Sequence, residues 1–155
     1  MATWRNSAAR ALRSDERGQA MAELAIIAPL MLVLVIGLVE LGRYANFSIE
    51  VANAARAGVQ YGAQNLAVAN DNAGMQNAAT ADAPDLGAGI SATATHFCTC
   101  ANGATSTCQP TDCAGSHRLL YVQVDTSETF NSMLHFPGVL NSLQVKGHAV
   151  MRVVQ

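Results

Sequence analysis

Charged and aromatic residues are both scarce in this chain: 13% of its 155 residues are charged and 5% are aromatic. A soluble domain usually carries about a quarter charged residues, so a dissolved enzyme with a ring-filled core fits the composition poorly. Nine Lys and Arg, a formal charge of −2, and neither a basic stripe nor an acidic tail leave no footprint for nucleic acid. Enzyme signatures are missing too. There is no Gly-x-Ser-x-Gly, no His-Glu-x-x-His, no phosphate-binding loop, and no Cys-His pair outside one cysteine cluster. The sequence predicts no catalytic residue, no cofactor and no resident metal.

What is abundant is apolar, at half of all residues. Alanine supplies much of it, at 28 positions, and adds apolar character without the bulk that fills a core. The rest is concentrated. Residues 24–39 hold no charge, and widening the window to 20–42 adds only Glu23 and Glu40. At a rise of about 1.5 Å per residue, residues 20–41 span about 33 Å, close to the hydrocarbon thickness of a bilayer. That run is too long for a signal peptide, and it ends in Gly42-Arg43-Tyr44 rather than a small-x-small cleavage site. A single membrane-spanning helix is predicted. Arg5, Arg10, Arg13 and Arg17 all precede it, so the positive-inside rule puts the N-terminus in the cytoplasm and the chain after Gly42 outside. Pro29 falls in the first three turns, where a kink is tolerated. Glu23 and Glu40 lie near opposite ends, and Glu23 gains from the helix dipole.

The run Arg17-Gly18-Gln19-Ala20-Met21-Ala22-Glu23, with Pro29 six residues on and Gly37-Leu38-Val39-Glu40-Leu41-Gly42-Arg43 at its exit, resembles the N-terminal signature of the TadE-like family. A second patch, Ala54-Ala55-Arg56-Ala57-Gly58-Val59-Gln60-Tyr61-Gly62, is similar to the segment that follows the anchor in that family, with Gln60 in place of a second Arg. The resemblance implies a minor pilin or pseudopilin of the Tad/Flp tight-adherence pilus of bacteria. It would sit in the inner membrane by one helix, with a periplasmic domain, and would work with other pilin-like subunits and the assembly platform. It also implies a prepilin peptidase cutting between Gly18 and Gln19. Glu23 would then be the fifth residue of the mature chain, with Leu24 where Flp-type sites carry Tyr. A Glu there would neutralise the new ammonium at Gln19 of a neighbouring subunit, since an unpaired charge in an apolar assembly is costly. Two other readings stand beside this one: a membrane-tethered periplasmic binding module, and a secreted enzyme with an atypical signal.

Past the membrane, Tyr44, Phe47, Val51, Ala55, Val59, Gly62 and Leu66 recur every three or four residues, the period of a helix face. The predicted organisation is a leader (1–18), a transmembrane helix (19–42), a continuation of that helix to about Gly62 or Leu66 (43–66) and a periplasmic α+β domain (67–155). Ala54, Gly58 and Gly62 form a flat strip on which another backbone can rest closely. That strip packs either on the protein's own sheet or on another subunit, and Arg56 is a solvated charge. Residues 65–83 predict a weak second helix, since Ala favours it while Asn and Asp oppose it, and residues 83–87 a turn. Strands are predicted over 90–97 at a sheet edge, over 119–125, and over 142–153 with a bulge near Gly147. Phe130, Met133, Leu134 and Phe136 would cap the sheet's open end. The fold class that follows is α+β, pilin-like: a long N-terminal helix packed on an antiparallel sheet of about three strands.

All four cysteines, Cys98, Cys100, Cys108 and Cys113, fall in one loop over 98–113. Outside the cytoplasm an even count reads as two disulfides. Pairing Cys98 with Cys100 strains too small a ring. The open choices are 98–108 with 100–113, or 98–113 with 100–108. Zinc is the rival reading, because His96 and His117 bracket the cluster, but the spacing matches no common pair of knuckles. His135, His148, Asp125 and Glu128 read as ordinary surface or strand residues.

Overall fold

The computed structural model describes residues 15–133 and 141–154. The leader arginines Arg5, Arg10 and Arg13 lie outside the described residues, as do Leu134, His135, Phe136 and Pro137. Two compact units divide after Gly42. Helix α1 runs Asp15–Gly62 and stays helical through Pro29. In the first unit its apolar side chains face outward, with Leu24 64% and Leu38 69% exposed. Water is the wrong solvent for that surface, since burying each such side chain is worth about 1.5–3 kcal/mol.

The second unit is an α+β domain. After α1 come α2 (Leu66–Ala69), α3 (Asn72–Ala81), a 3-10 turn (Pro84–Gly89), and strands β1 (Ser91–Cys100), β2 (Thr105–Ser106), β3 (Arg118–Asn131) and β4 (Ser142–Arg152). The antiparallel sheet has the order β2-β1-β3-β4. Helix α1 ends at Gly62 rather than at Leu66, because Asn65 caps a new helix: its side chain accepts from the amides of Ala67 and Val68. Asp71 caps α3 in the same way, through the Gly74 amide.

The predicted helix over 65–83 is therefore two helices, each with its own cap. The sheet has four strands rather than three, the extra one being the two-residue β2, which pairs only with Cys98 and Thr99. Beyond that short pairing, β1 is an edge, as its Thr-rich sequence suggests. Strand β3 runs six residues past the predicted end at Asp125. Its inward positions are Leu120, Val122, Val124, Thr126 and Phe130, and the polar Thr126 hid the continuing alternation.

The predicted bulge at Gly147 does not exist. The β3–β4 register runs unbroken from Tyr121↔Arg152 to Asn131↔Ser142. Val145, Gly147, Ala149 and Val153 all point to the core side, and Val150 faces out. Gly147 is a glycine for another reason. A Cβ there would lie 2.5 Å from the Val51 carbonyl oxygen and 3.0 Å from the Ala52 Cα, so its absence lets the strand lie against the helix backbone.

The main core joins Val59, Met75 and Ala79 from the helices, and Ala63 just past α1, to Ala94, Cys98, Leu120, Val122, Val124 and Val153 from the sheet side. A second cluster joins Val51, Phe130 and Val145, flanked by Tyr44 and Phe47. Phe130 thus covers one end of the sheet as predicted, whereas Met133 is 70% exposed and does not.

Candidate functional site

The sequence-predicted residues fall into three separate places. At the start of α1 are Gly18, Gln19 and Glu23, all exposed, with the Gln19 amide donating to the Glu23 carboxylate at 3.3 Å. One helical turn separates them, the spacing at which side chains meet on one face. Further along α1, nothing lies within 4 Å of where a Cβ would sit on Gly37 or Gly42. Glu40 closes the apolar run. Arg43, the last residue of the exit motif, belongs to the second unit, where its guanidinium lies 5.4 Å from the centre of the Phe130 ring. Tyr44 and Phe47 meet the same ring edge-on at 5.5 and 5.4 Å. A cavity of about 460 Å³ opens beside them, lined in part by Arg43, Glu50, Asp85 and Glu128.

The small-residue strip is buried within its own domain. Ala54 is fully buried, and a Cβ on Gly58 would lie 2.9 Å from the Met75 carbonyl oxygen and 3.0 Å from Val124. A Cβ on Gly62 would run into Met75 and Val122. Of the two readings of this strip, the structure adopts packing on the protein's own sheet and on α3, which leaves no room for a second subunit there. Arg56 is exposed and donates to the Asn53 side-chain oxygen at 3.4 Å.

The cysteines pair Cys98–Cys108 and Cys100–Cys113. Cys98 and Cys100 are buried at the end of β1, and their partners lie in the loop. Asp112 organises that loop. Its Oδ2 accepts from the Thr107 amide at 2.6 Å, the Thr107 hydroxyl at 2.8 Å, the Ser106 hydroxyl at 3.0 Å and the Gln109 amide at 3.2 Å. These donors, the Thr107 hydroxyl above all, hold the Asp112 carboxyl below the ordinary carboxylate range. Cys108 takes the left-handed backbone conformation at φ 70°, secured by its disulfide and by the Arg118 guanidinium donating to its carbonyl.

Sequence reasoning missed three relationships. Thr126 buries its hydroxyl against the Val51 carbonyl at 2.7 Å. On the outer sheet face, Asp125 accepts from Gln123 at 2.7 Å and meets His148 Nδ1 at 2.6 Å, and these partners lower its carboxyl's pKa, Gln123 most. The Tyr61 hydroxyl donates to Asp71 at 3.1 Å, which raises the phenol above its usual range. The β-strand period could have placed Asp125 on one face, but only the register puts His148 opposite it.

Against known families, residues 18–60 match the model described as TadE-like protein. Over those residues the chain is similar to that family. The matched stretch covers nearly all of α1, with Glu23, Glu40, Pro29 and the exit motif, and it stops before α2 and the sheet. No curated protein and no solved structure matches the chain. The TadE-like segment and one long apolar N-terminal helix fit a membrane protein associated with the Tad pilus, held by a single anchor.

Proposed function

We propose that this chain is a non-enzymatic minor pilin or pseudopilin that supports the assembly or initiation of a Tad/Flp adhesion pilus. It spans the inner membrane once, with its N-terminus in the cytoplasm and its disulfide-bonded domain in the periplasm, where disulfides persist. The observation that carries this reading is an overlap: the first half of the TadE-like match, up to Leu41, is the stretch whose apolar side chains are left exposed. Because Ala54, Gly58 and Gly62 are used inside the domain, other pilin-like subunits and the assembly platform meet the chain through residues 18–42. Small residues such as Gly37 and Gly42 permit close helix approach there.

Deleting the gene and scoring surface pili tests this. Pili are expected to be lost, with the protein itself in the membrane fraction of the parent strain. Normal piliation in the deletion strain would overturn the reading and favour a tethered periplasmic binding module. Recovery of the protein in the soluble fraction would remove the anchor.

A further inference from the structure

Acidic side chains gather past α1 on the helical side of the domain, although α1 itself carries Arg43 and Arg56, and the unevenness begins in the sequence. Residues 57–117 contain no Lys or Arg, yet hold Asp71, Asp82, Asp85 and Asp112. The first three sit in the helical layer: Asp71 and Asp82 cap the two ends of α3, and Asp85 opens the 3-10 turn. The chain's lone lysine, Lys146, and Arg152 are both on β4.

Strand register puts those two cations on the face turned away from the helices. The outward rows across β1, β3 and β4 are Ser91–Ser127–Lys146, Thr93–Asp125–His148, Thr95–Gln123–Val150 and Phe97–Tyr121–Arg152. The one carboxylate in these rows, Asp125, is already engaged by Gln123 and His148. Phe97 and Tyr121 stack at 5.3 Å, and Phe97 and Val150 are 39% and 42% exposed. An Arg beside exposed aromatic and aliphatic side chains, rimmed by hydroxyls and amides, is the composition of a protein interface core with its polar border. Among the described residues no helix covers this face.

We propose that the outer face of the sheet docks a second copy of this chain through that copy's α3 and 3-10 side. Arg152 of one copy faces Asp82 and Asp85 of the next, and Lys146, about 20 Å along β4, adds to the field. Such a contact joins two different surfaces, so it is heterologous and adds copies head to tail rather than closing a two-fold dimer. Opposite potentials give the pairing its direction, since like faces repel. Helix α3 suits the role: Ala73, Asn77 and Thr80 are exposed and small enough to admit the Phe97–Tyr121 stack. Three strands at about 4.8 Å spacing and about ten residues of strand give a face of roughly 480 Å² per copy, at the weak end for protein contacts. It acts where copies are already concentrated in one membrane. This inference rests on the charge distribution and the register, not on the pilus reading, and either can fail alone.

A photo-crosslinking residue placed at Thr95 in the full-length, membrane-embedded protein tests it. The expected adduct is a dimer whose cross-linked peptide maps to residues 72–85 of the second copy. Added salt should lower its yield, and Lys146→Glu with Arg152→Glu should lower it at least tenfold. Co-expression with a copy carrying Asp82→Lys and Asp85→Lys should restore it. Intact disulfides in each variant report that the domain is folded. An adduct only with a different protein or with lipid, no adduct at all, or a yield unmoved by charge reversal in the folded variant overturns the proposal.

Discussion

Thr126 and Val51 are joined across 75 residues of chain by a hydroxyl-to-carbonyl hydrogen bond of 2.7 Å. Gly147 stands directly opposite Thr126 in the β3–β4 register, and the same Val51 carbonyl closes over it. These three residues set how closely the helix approaches the sheet. Thr126→Val keeps the branched shape but removes the donor, and should cost about 1 kcal/mol. Gly147→Ala forces a methyl against backbone and should cost about 1–3 kcal/mol. Thermal unfolding of the detergent-solubilised chain, followed by circular dichroism, checks both. Parent-like stability of Gly147→Ala would mean that the close approach is wrong.

The same change has opposite outcomes elsewhere on α1. Gly58→Ala must displace the Met75 carbonyl or Val124, and is expected to destabilise by about 1–3 kcal/mol. Gly37→Ala meets nothing within 4 Å, so the domain's melting should not fall. A loss of piliation by Gly37→Ala with unchanged melting would locate a subunit contact in the anchor.

Non-reducing peptide mapping should recover Cys98 linked to Cys108 and Cys100 linked to Cys113. Replacing either pair by serines removes a cross-link worth about 2–4 kcal/mol. Protease should then cut first within residues 101–117, where little apolar surface holds the loop. Recovery of a 98–113 peptide would refute this arrangement.

Asp112 makes the loop acid-sensitive. Its folded pKa is depressed, so its stabilisation is fully present above the ordinary carboxylate pKa and is lost as pH falls through the lower folded value. Amide exchange at Thr107 and Gln109 should therefore speed up below about pH 4 relative to amides in β3. In Asp112→Asn these two amides should exchange faster at neutral pH and lose that extra acid sensitivity. An unchanged pH profile in the variant would assign the effect to another group.

Processing after Gly18 predicts a mature chain beginning at Gln19 in cells with a prepilin peptidase and at the leader's own N-terminus in cells without one. Intact-mass measurement of the purified protein distinguishes the two. Glu23→Ala should leave the cut in place and reduce pilus assembly, because the carboxylate's role lies in pairing with a neighbour's ammonium. An uncut chain in both strains removes the leader peptide from the account.

The sequence by itself determined the long apolar helical run, the TadE-like signature it carries and the helical period of residues 44–62. Those features are local: length, apolarity and a 3.6-residue repeat act within one segment. It also showed that the four cysteines fall within residues 98–113, read there as one loop, whereas β1 extends past its predicted end at residue 97 and takes in Cys98 and Cys100. Which of them pair was settled by the fold, since β1 turns Cys98 and Cys100 to the core side and the loop returns Cys108 and Cys113 to meet them. The role of the Ala54, Gly58 and Gly62 strip was likewise decided by tertiary structure, because small residues admit any close backbone and only the placement of Met75, Val122 and Val124 says whose. Gly147 carried the same ambiguity: a glycine in a strand marks either a bulge or a close approach, and the unbroken register chose the second.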